Sequence, residues 1–163
     1  MIEIYFETGE VLALPVETLS GSNLKGLELH RAIFDELDLA RADFTASNLR
    51  NASFVNSVLF KSVMNNAALM NAVFIGANME GVTMSGAVAV SADFSKANLS
   101  VANLECADVC AANFFKANLC GANLRANRID NANFTDALYD DRTIWPAGFD
   151  PIEWGAIKAE RAL

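Results

Sequence analysis

From Leu24 to Phe134 a large apolar residue returns at every fifth position. These 23 centres hold ten Leu, seven Phe, three Met and one each of Ala, Val and Ile. Two residues before a centre the side chain is small: Ala at 15 of the positions and Ser at four (Ser22, Ser47, Ser57, Ser62). Asn or Asp immediately precedes 13 centres, giving the unit Ala-Asn/Asp-Leu/Phe-x-x. A helix repeats near 3.6 residues and a strand at about 2, so a period of five requires the backbone to turn inside each unit. A short extended piece would place the small residue and the centre on one face, with Asn or Asp pointing away. Gly26, Gly76, Gly81, Gly86 and Gly121 all fall two residues after a centre, where a tight corner calls for positive φ.

A longer period sets the number of sides. Phe34, Phe54, Phe74, Phe94, Phe114 and Phe134 recur every twenty residues, and the other three sets of centres are mostly Leu and Met. Twenty residues in units of five make a four-sided coil, and nearly six coils at roughly 4.8 Å each make a rod of about 28 Å. The sequence therefore predicts an all-β solenoid around a Phe and Leu/Met core.

Solenoid ends expose unpaired backbone and need caps. Residues 1–19 alternate like a hairpin around Thr8-Gly9 and are expected to pair with or cover the first coil, ahead of a repeat region at 20–136. In the tail, 137–163, Asp150-Pro151-Ile152-Glu153 has an N-cap, a first-turn Pro and a reciprocating Glu, which predicts a short capping helix from Pro151 to about Ala162. Trp145, Phe149, Trp154 and Ile157 would then lid the last coil.

Repeats such as Ala97-Asn98-Leu99, Ala102-Asn103-Leu104, Ala117-Asn118-Leu119 and Ala122-Asn123-Leu124 resemble the pentapeptide repeat family, without interruption over residues 22–136. That resemblance implies a right-handed quadrilateral β-helix. The stretch from Tyr139 to Pro151 is similar to the C-terminal ends of cyanobacterial members. Some members of the family mimic DNA, inhibit type II topoisomerases such as gyrase and dimerise C-terminally, so gyrase regulation and a tail-mediated dimer are alternatives that the resemblance brings with it.

Charge argues against the first alternative. The chain carries 12 Lys+Arg and 20 Asp+Glu, a net of -8, which disfavours direct binding to nucleic acid or to an anionic membrane. Residues 20–136 hold 11 acids and 9 bases, so the rod is nearly neutral, with its acids interleaved with Lys25, Arg31, Arg41, Lys96 and Lys116. A duplex mimic would need rows of acids. No run is long enough for a membrane helix, and the acidic N-terminus is unlike a signal peptide, so a cytoplasmic protein is expected.

Catalysis has little to stand on. His30 is the single histidine and is expected on the outside of the first coil. The four inward serines have no base in the motif and would bond corner amides. Asn127, at an inward position, would satisfy the backbone of a distorted last coil. Cys106, Cys110 and Cys120 fall on three different sides, too scattered for one metal. A non-enzymatic protein without cofactor or metal is the reading.

One departure from the pattern remains. Val55, Val58, Phe60, Met70, Val73, Ile75, Val88 and Val90 occupy positions directed at water, as do Val63 and Phe115. By the twenty-residue register they cover adjacent sides of the middle coils. Such a patch marks a contact surface for a protein partner or for self-association.

Overall fold

The computed structural model describes residues 1–160. Its framework is four ladders of parallel bridges, each joining the residue before a centre to its counterpart twenty residues on. Face 1 runs Asn23, Asp43, Val63, Thr83, Asn103, Asn123; face 2 runs Glu28, Asn48, Ala68, Val88, Asp108, Asn127. Face 3 runs Ile33, Ser53, Val73, Asp93, Asn113, Asn133; face 4 runs Asp38, Val58, Asn78, Asn98, Asn118, Leu138. Four such units complete a coil, as the double period requires.

The unit from Ala77 to Gly81 shows why these residue types fit. Ala77 N–H closes a turn onto Phe74 C=O at 3.0 Å, while Asn78 N–H reaches back to Ser57 C=O at 2.9 Å. Met79 N–H reaches forward to Asn98 C=O at 2.8 Å and Gly81 N–H to Ser100 C=O at 2.9 Å. Four of the five amides are thus used by backbone. The fifth, on Glu80, donates to the Asn78 Oδ1 at 3.3 Å. Asn and Asp before the centre therefore supply the one acceptor that the coil lacks. Two residues after a centre the backbone is left-handed, except after Leu124 and Ile129, with φ +68° at Gly76 and also positive at non-glycines such as Asn56, Asn66, Lys96 and Ala111.

Centres and, apart from the half-buried Ser22, the small residues before them point inward and are buried. Phe34, Phe54, Phe74, Phe94, Phe114 and Phe134 stack face to face, with centroids 4.8 to 5.0 Å apart and planes within 12°. The inward serines bond carbonyls rather than the expected corner amides: Ser47 Oγ donates to Leu24 C=O at 2.7 Å and Ser57 Oγ to Phe54 C=O at 2.9 Å. The amides are already committed to the turns. The half-buried Ser22 donates to Thr18 C=O, and the Ser62 hydroxyl is buried without a hydrogen-bond partner.

At the N-terminal end β1 (Ile2–Phe6) and β2 (Val11–Leu14) form an antiparallel hairpin, and β1 pairs antiparallel with β3 (Ala32–Ile33) of the first coil. The hairpin thus extends face 3 by two strands, in the order β2-β1-β3.

Near the other end the register slips. Asp108 bridges Asn127, one residue early, and Asn113 bridges Asn133 on schedule. A four-residue unit, Ala122 to Arg125, is followed by a six-residue one, Ala126 to Asn131, whose excess is taken up in a 3-10 turn at Ile129–Asn131. Ala126 takes the inward place expected of Asn127. Asn127 instead lies exposed, and its Nδ2 donates to Cys106 C=O at 3.0 Å. It does bond backbone, but that of the regular coil before the slip rather than of the distorted one, and it points outward instead of inward.

Beyond the slip, β4 (Leu138–Tyr139) continues face 4, Ile144 continues face 1, and β5 (Ile157–Lys158) adds to β4 in parallel. The predicted helix from Pro151 is replaced by a single turn followed by β5; the last residues of its expected span lie outside the described residues. The N-cap does form, with Ile152 N–H on Asp150 Oδ1 at 3.0 Å. Winding stops at Gly155, φ +83°; Ala156 N–H closes the turn onto Pro151 C=O at 3.0 Å, and Ile157 N–H leaves for the coil, bonding Ala137 C=O at 2.7 Å. Trp145 and Phe149 cover Phe134 edge-on at 5.3 and 5.7 Å. Trp154 stacks on Phe149 but is 39% exposed, and Ile157 is exposed in its strand, so these two close the coil only from outside.

Candidate interaction surface

The eight apolar side chains singled out at water-directed positions all lie outside the core. Val58 and Val88 are each 37% exposed, while Val55, Phe60, Met70, Val73, Ile75 and Val90 are half-buried against their neighbours in the stack. Val58 and Phe60 lie on face 4, Val55, Val73 and Ile75 on face 3, and Met70, Val88 and Val90 on face 2. Val63 is half-buried on face 1, and Phe115 is half-buried farther along face 3. Lysines shade the two aromatic rings: Lys61 Nζ sits 5.0 Å over Phe60 and Lys116 Nζ 4.9 Å over Phe115.

Replacing Asn or Asp by Val before the centre has a second effect. It deletes the side-chain acceptor for the amide two residues later. Among the described residues the amides of Phe60, Ile75 and Val90 accordingly donate to no protein acceptor, whereas those of Ser95, Ser100 and Phe115 bond Asp93, Asn98 and Asn113. The patch combines apolar side chains with free backbone donors.

Farther along the rod the same positions are polar and interlocked. On face 4, Asn118 Nδ2 donates to Asn98 Oδ1 at 3.1 Å, and Asn98 Nδ2 points to Asn78 Oδ1 at 3.4 Å. On face 3, Asn133 donates to Asn113 at 2.9 Å and Asn113 to Asp93 at 3.1 Å. Asp93 heads this ladder beneath Val73, which offers no acceptor, so a carboxylate that only accepts suits the place.

The sequence reading missed a further apolar row. Val11, Tyr5 and Ile33 are directly cross-strand across β2, β1 and β3, and all are exposed, by 49, 55 and 36%. The available signal was Ile33 itself, standing where Asn or Asp is usual.

Ionisable groups do not converge. His30 is exposed on face 2, and Cys106, Cys110 and Cys120 sit on faces 1, 2 and 4. Burial and the Asp140 carboxylate raise the Cys120 thiol above its ordinary value. The perturbed carboxylates are structural. Arg128 pairs with Asp108 and holds it below the usual carboxylate range against the pull of burial. For Asp43 burial is the largest influence and works upward, but the Thr45 hydroxyl and amide with Lys25 outweigh it. Asp140 is similar: burial raises it, while Arg142 and the Gly121 amide carry it lower. Asp140 Oδ1 accepts from Gly121 N–H at 2.8 Å, tying the tail to the preceding coil. Among the described residues no group of His, Cys, Asp or Glu could hold a metal ion, and no helix is long and apolar enough to cross a membrane.

The family model for pentapeptide repeats matches in eight copies, over residues 18–51, 38–74, 69–105 and 102–138. The chain belongs to the pentapeptide repeat family. Among solved structures it is similar to HetL, a pentapeptide repeat protein involved in heterocyst differentiation regulation from the cyanobacterium Nostoc sp. The two are 19% identical with a TM-score of 0.52, over 85% of this chain and 73% of HetL. It also matches a trypsin-treated form of QnrB1, a plasmid-mediated fluoroquinolone resistance protein, at 17% identity and TM-score 0.46 over 86% of this chain and 85% of QnrB1. A pentapeptide repeat protein of the Arabidopsis thaliana thylakoid lumen matches at 28% identity and TM-score 0.43, over 72% of this chain and 68% of that one. No curated protein sequence matches. The likeness to HetL concerns the β-solenoid fold.

Proposed function

We propose that this pentapeptide repeat protein is a non-catalytic interaction or scaffolding module that presents flat β-helix faces to a protein partner, with Val55, Val58, Phe60, Met70, Val73, Ile75, Val88 and Val90 as the contact. The observation that carries the reading is the coincidence, over adjacent faces of the middle coils, of outward apolar side chains with amides left free by the same substitutions. A partner would cover the former and supply acceptors to the latter, and a rigid ladder holds both in place before contact, so little ordering is lost on binding. The test is the double variant Phe60→Asp with Ile75→Asp. Both positions face outward, so the β circular-dichroism signature and melting temperature are expected to persist. Capture of a partner from the native organism, or self-association, is expected to disappear. Unchanged association would remove the patch from the contact.

A further inference from the structure

A second surface lies apart from the middle coils, at the outer edge of the N-terminal hairpin. In the β1–β2 pair the hydrogen-bonded positions alternate with non-bonded ones. Phe6 N–H donates to Glu10 C=O at 3.0 Å, which makes Ile4 with Leu12 and Ile2 with Leu14 the following bonded pairs. Val11 and Ala13, opposite Tyr5 and Glu3, therefore turn their N–H and C=O groups away from β1, and no described residue takes them up. Strand β2 is the terminal strand of its sheet. Its four residues, Val-Leu-Ala-Leu, include no Pro, Lys or other charge; the exposed Glu10 before them and Pro15 after them confine the open edge to Val11 and Ala13. The side chains beside it are one-sided in charge. Residues 1–19 contain Glu3, Glu7, Glu10 and Glu17, all exposed, and no Lys, Arg or His. The nearest cation in sequence, Lys25, is paired with Asp43 on face 1 at 3.1 Å, and the next, Arg31, belongs to the opposite, β3 side of the hairpin, where its carbonyl accepts Glu7 N–H at 3.0 Å.

We propose that the β2 edge receives an extended basic segment of a partner protein by strand addition. Main-chain bonds to Val11 and Ala13 would fix the register, an apolar side chain opposite Val11 would extend the Tyr5–Val11–Ile33 row, and a Lys or Arg two residues away on the same face would reach across the small Ala13 to Glu3. A second copy of this chain is the poorer occupant. Two hairpins brought edge to edge would oppose four carboxylates with four carboxylates.

The experiment titrates the full chain with a synthetic peptide of Lys-Ser-Val-Ser repeats, which sets lysine and valine in turn along one face, read by fluorescence anisotropy and by amide shifts of β2. Saturable binding with shifts at Val11 and Ala13 is expected. Methylating alternate peptide nitrogens should weaken binding by roughly tenfold, the scale of a few lost main-chain bonds. The same peptide with glutamate in place of lysine should not bind. Ala13→Pro removes an outward N–H without touching the β1 ladder, and should weaken the lysine peptide to the same degree while Ile4 amide protection is retained. Because the methylated peptide leaves the protein unchanged, the result stands even where the proline variant fails to fold. Phe60→Asp with Ile75→Asp should leave this affinity unaltered, which separates the edge from the middle patch. Indifference to methylation, shifts confined to other faces, absence of saturable binding, or dimerisation through β2 would each overturn the proposal.

Discussion

Phe74→Ala probes the feature on which the solenoid rests. Phe74 is fully buried, with Phe54 parallel on one side at 4.8 Å and Phe94 on the other at 5.0 Å. Removing the ring leaves a gap that neighbours cannot readily close, because each coil is pinned to the next: Val73 bridges both Ser53 and Asp93, and Phe74 N–H bonds Asp93 C=O at 2.7 Å. Truncating a buried Phe to Ala costs about 3–5 kcal/mol, less where the site collapses and more where it cannot, so the upper half of the range applies. Two lost stacking contacts, each worth about 0.5–1.5 kcal/mol beyond area, point the same way. Denaturant unfolding followed by far-UV dichroism and by the emission of Trp145 and Trp154 measures the loss, and coincident transitions would confirm that the whole rod unfolds as one unit. Asn66→Ala is the control. It faces solvent in a left-handed corner that Ala46 and Ala111 already occupy at φ 58° and 56°, and should cost under about 1 kcal/mol. A loss below about 1 kcal/mol for Phe74→Ala would refute the stacked core.

Gly76→Ala would put a Cβ 2.5 Å from Asn56 Oδ1 at φ +68°, and is expected to cost about 1–2 kcal/mol by thermal melting, reduced but not abolished when Asn56→Ala removes the clash. Asn113→Asp sets a second carboxylate directly below Asp93 and deletes the donor between them; it should lower the melting temperature at pH 7, and do so less at high salt, where screening weakens the repulsion. Asp43, Asp108 and Asp140 have folded pKa values lowered from their ordinary ones, so the stability they contribute is present above about pH 4 and drains away as pH falls through the folded values; in acid titrations Asp108→Asn should flatten part of that loss. Thiol alkylation at pH 8 should label exposed Cys106 ahead of Cys120, whose thiolate burial and Asp140 disfavour, and equal rates would contradict that placement.

The coil was legible because one side-chain rule and one backbone rule repeat without conflict. An inward small residue and an inward large one fix the faces, and the Phe column at intervals of twenty fixes the number of sides. What the period could not reveal is where the chain departs from it. At Leu124-Arg125-Ala126-Asn127 the strict count of five points Asn127 inward. The pairs Ala122-Asn123, Ala126-Asn127 and Ala132-Asn133 instead keep the small-then-Asn order at intervals of four and six, and the structure follows chemistry rather than count. A buried Asn side chain would lack partners in an apolar core, whereas turned outward it bonds Cys106 C=O. The tail misled for the opposite reason. Its N-cap was real, but a cap specifies where a helix starts and not how far it runs, and Gly155 ended the turn at once.

The same hydrogen-bond accounting links architecture to recognition. Each unit has one amide that no backbone carbonyl reaches, and its fate depends on a single side chain, the residue before the centre. Where that residue is Asn or Asp, the amide is satisfied internally, and the side chains lock into ladders such as Asn78–Asn98–Asn118 that leave few unmet donors. Where it is Val, as at Val58, Val73 and Val88, the core and the bridges are undisturbed, yet the surface gains both an apolar group and a donor in need of an acceptor. On the proposed contact, faces of one rod are made inert or adhesive by substitutions that leave the core and the bridges in place. The edge of β2 extends this logic to a place where the coil's own ladder ends: Val11 and Ala13 hold donors and acceptors that in any inner coil the next turn would have taken.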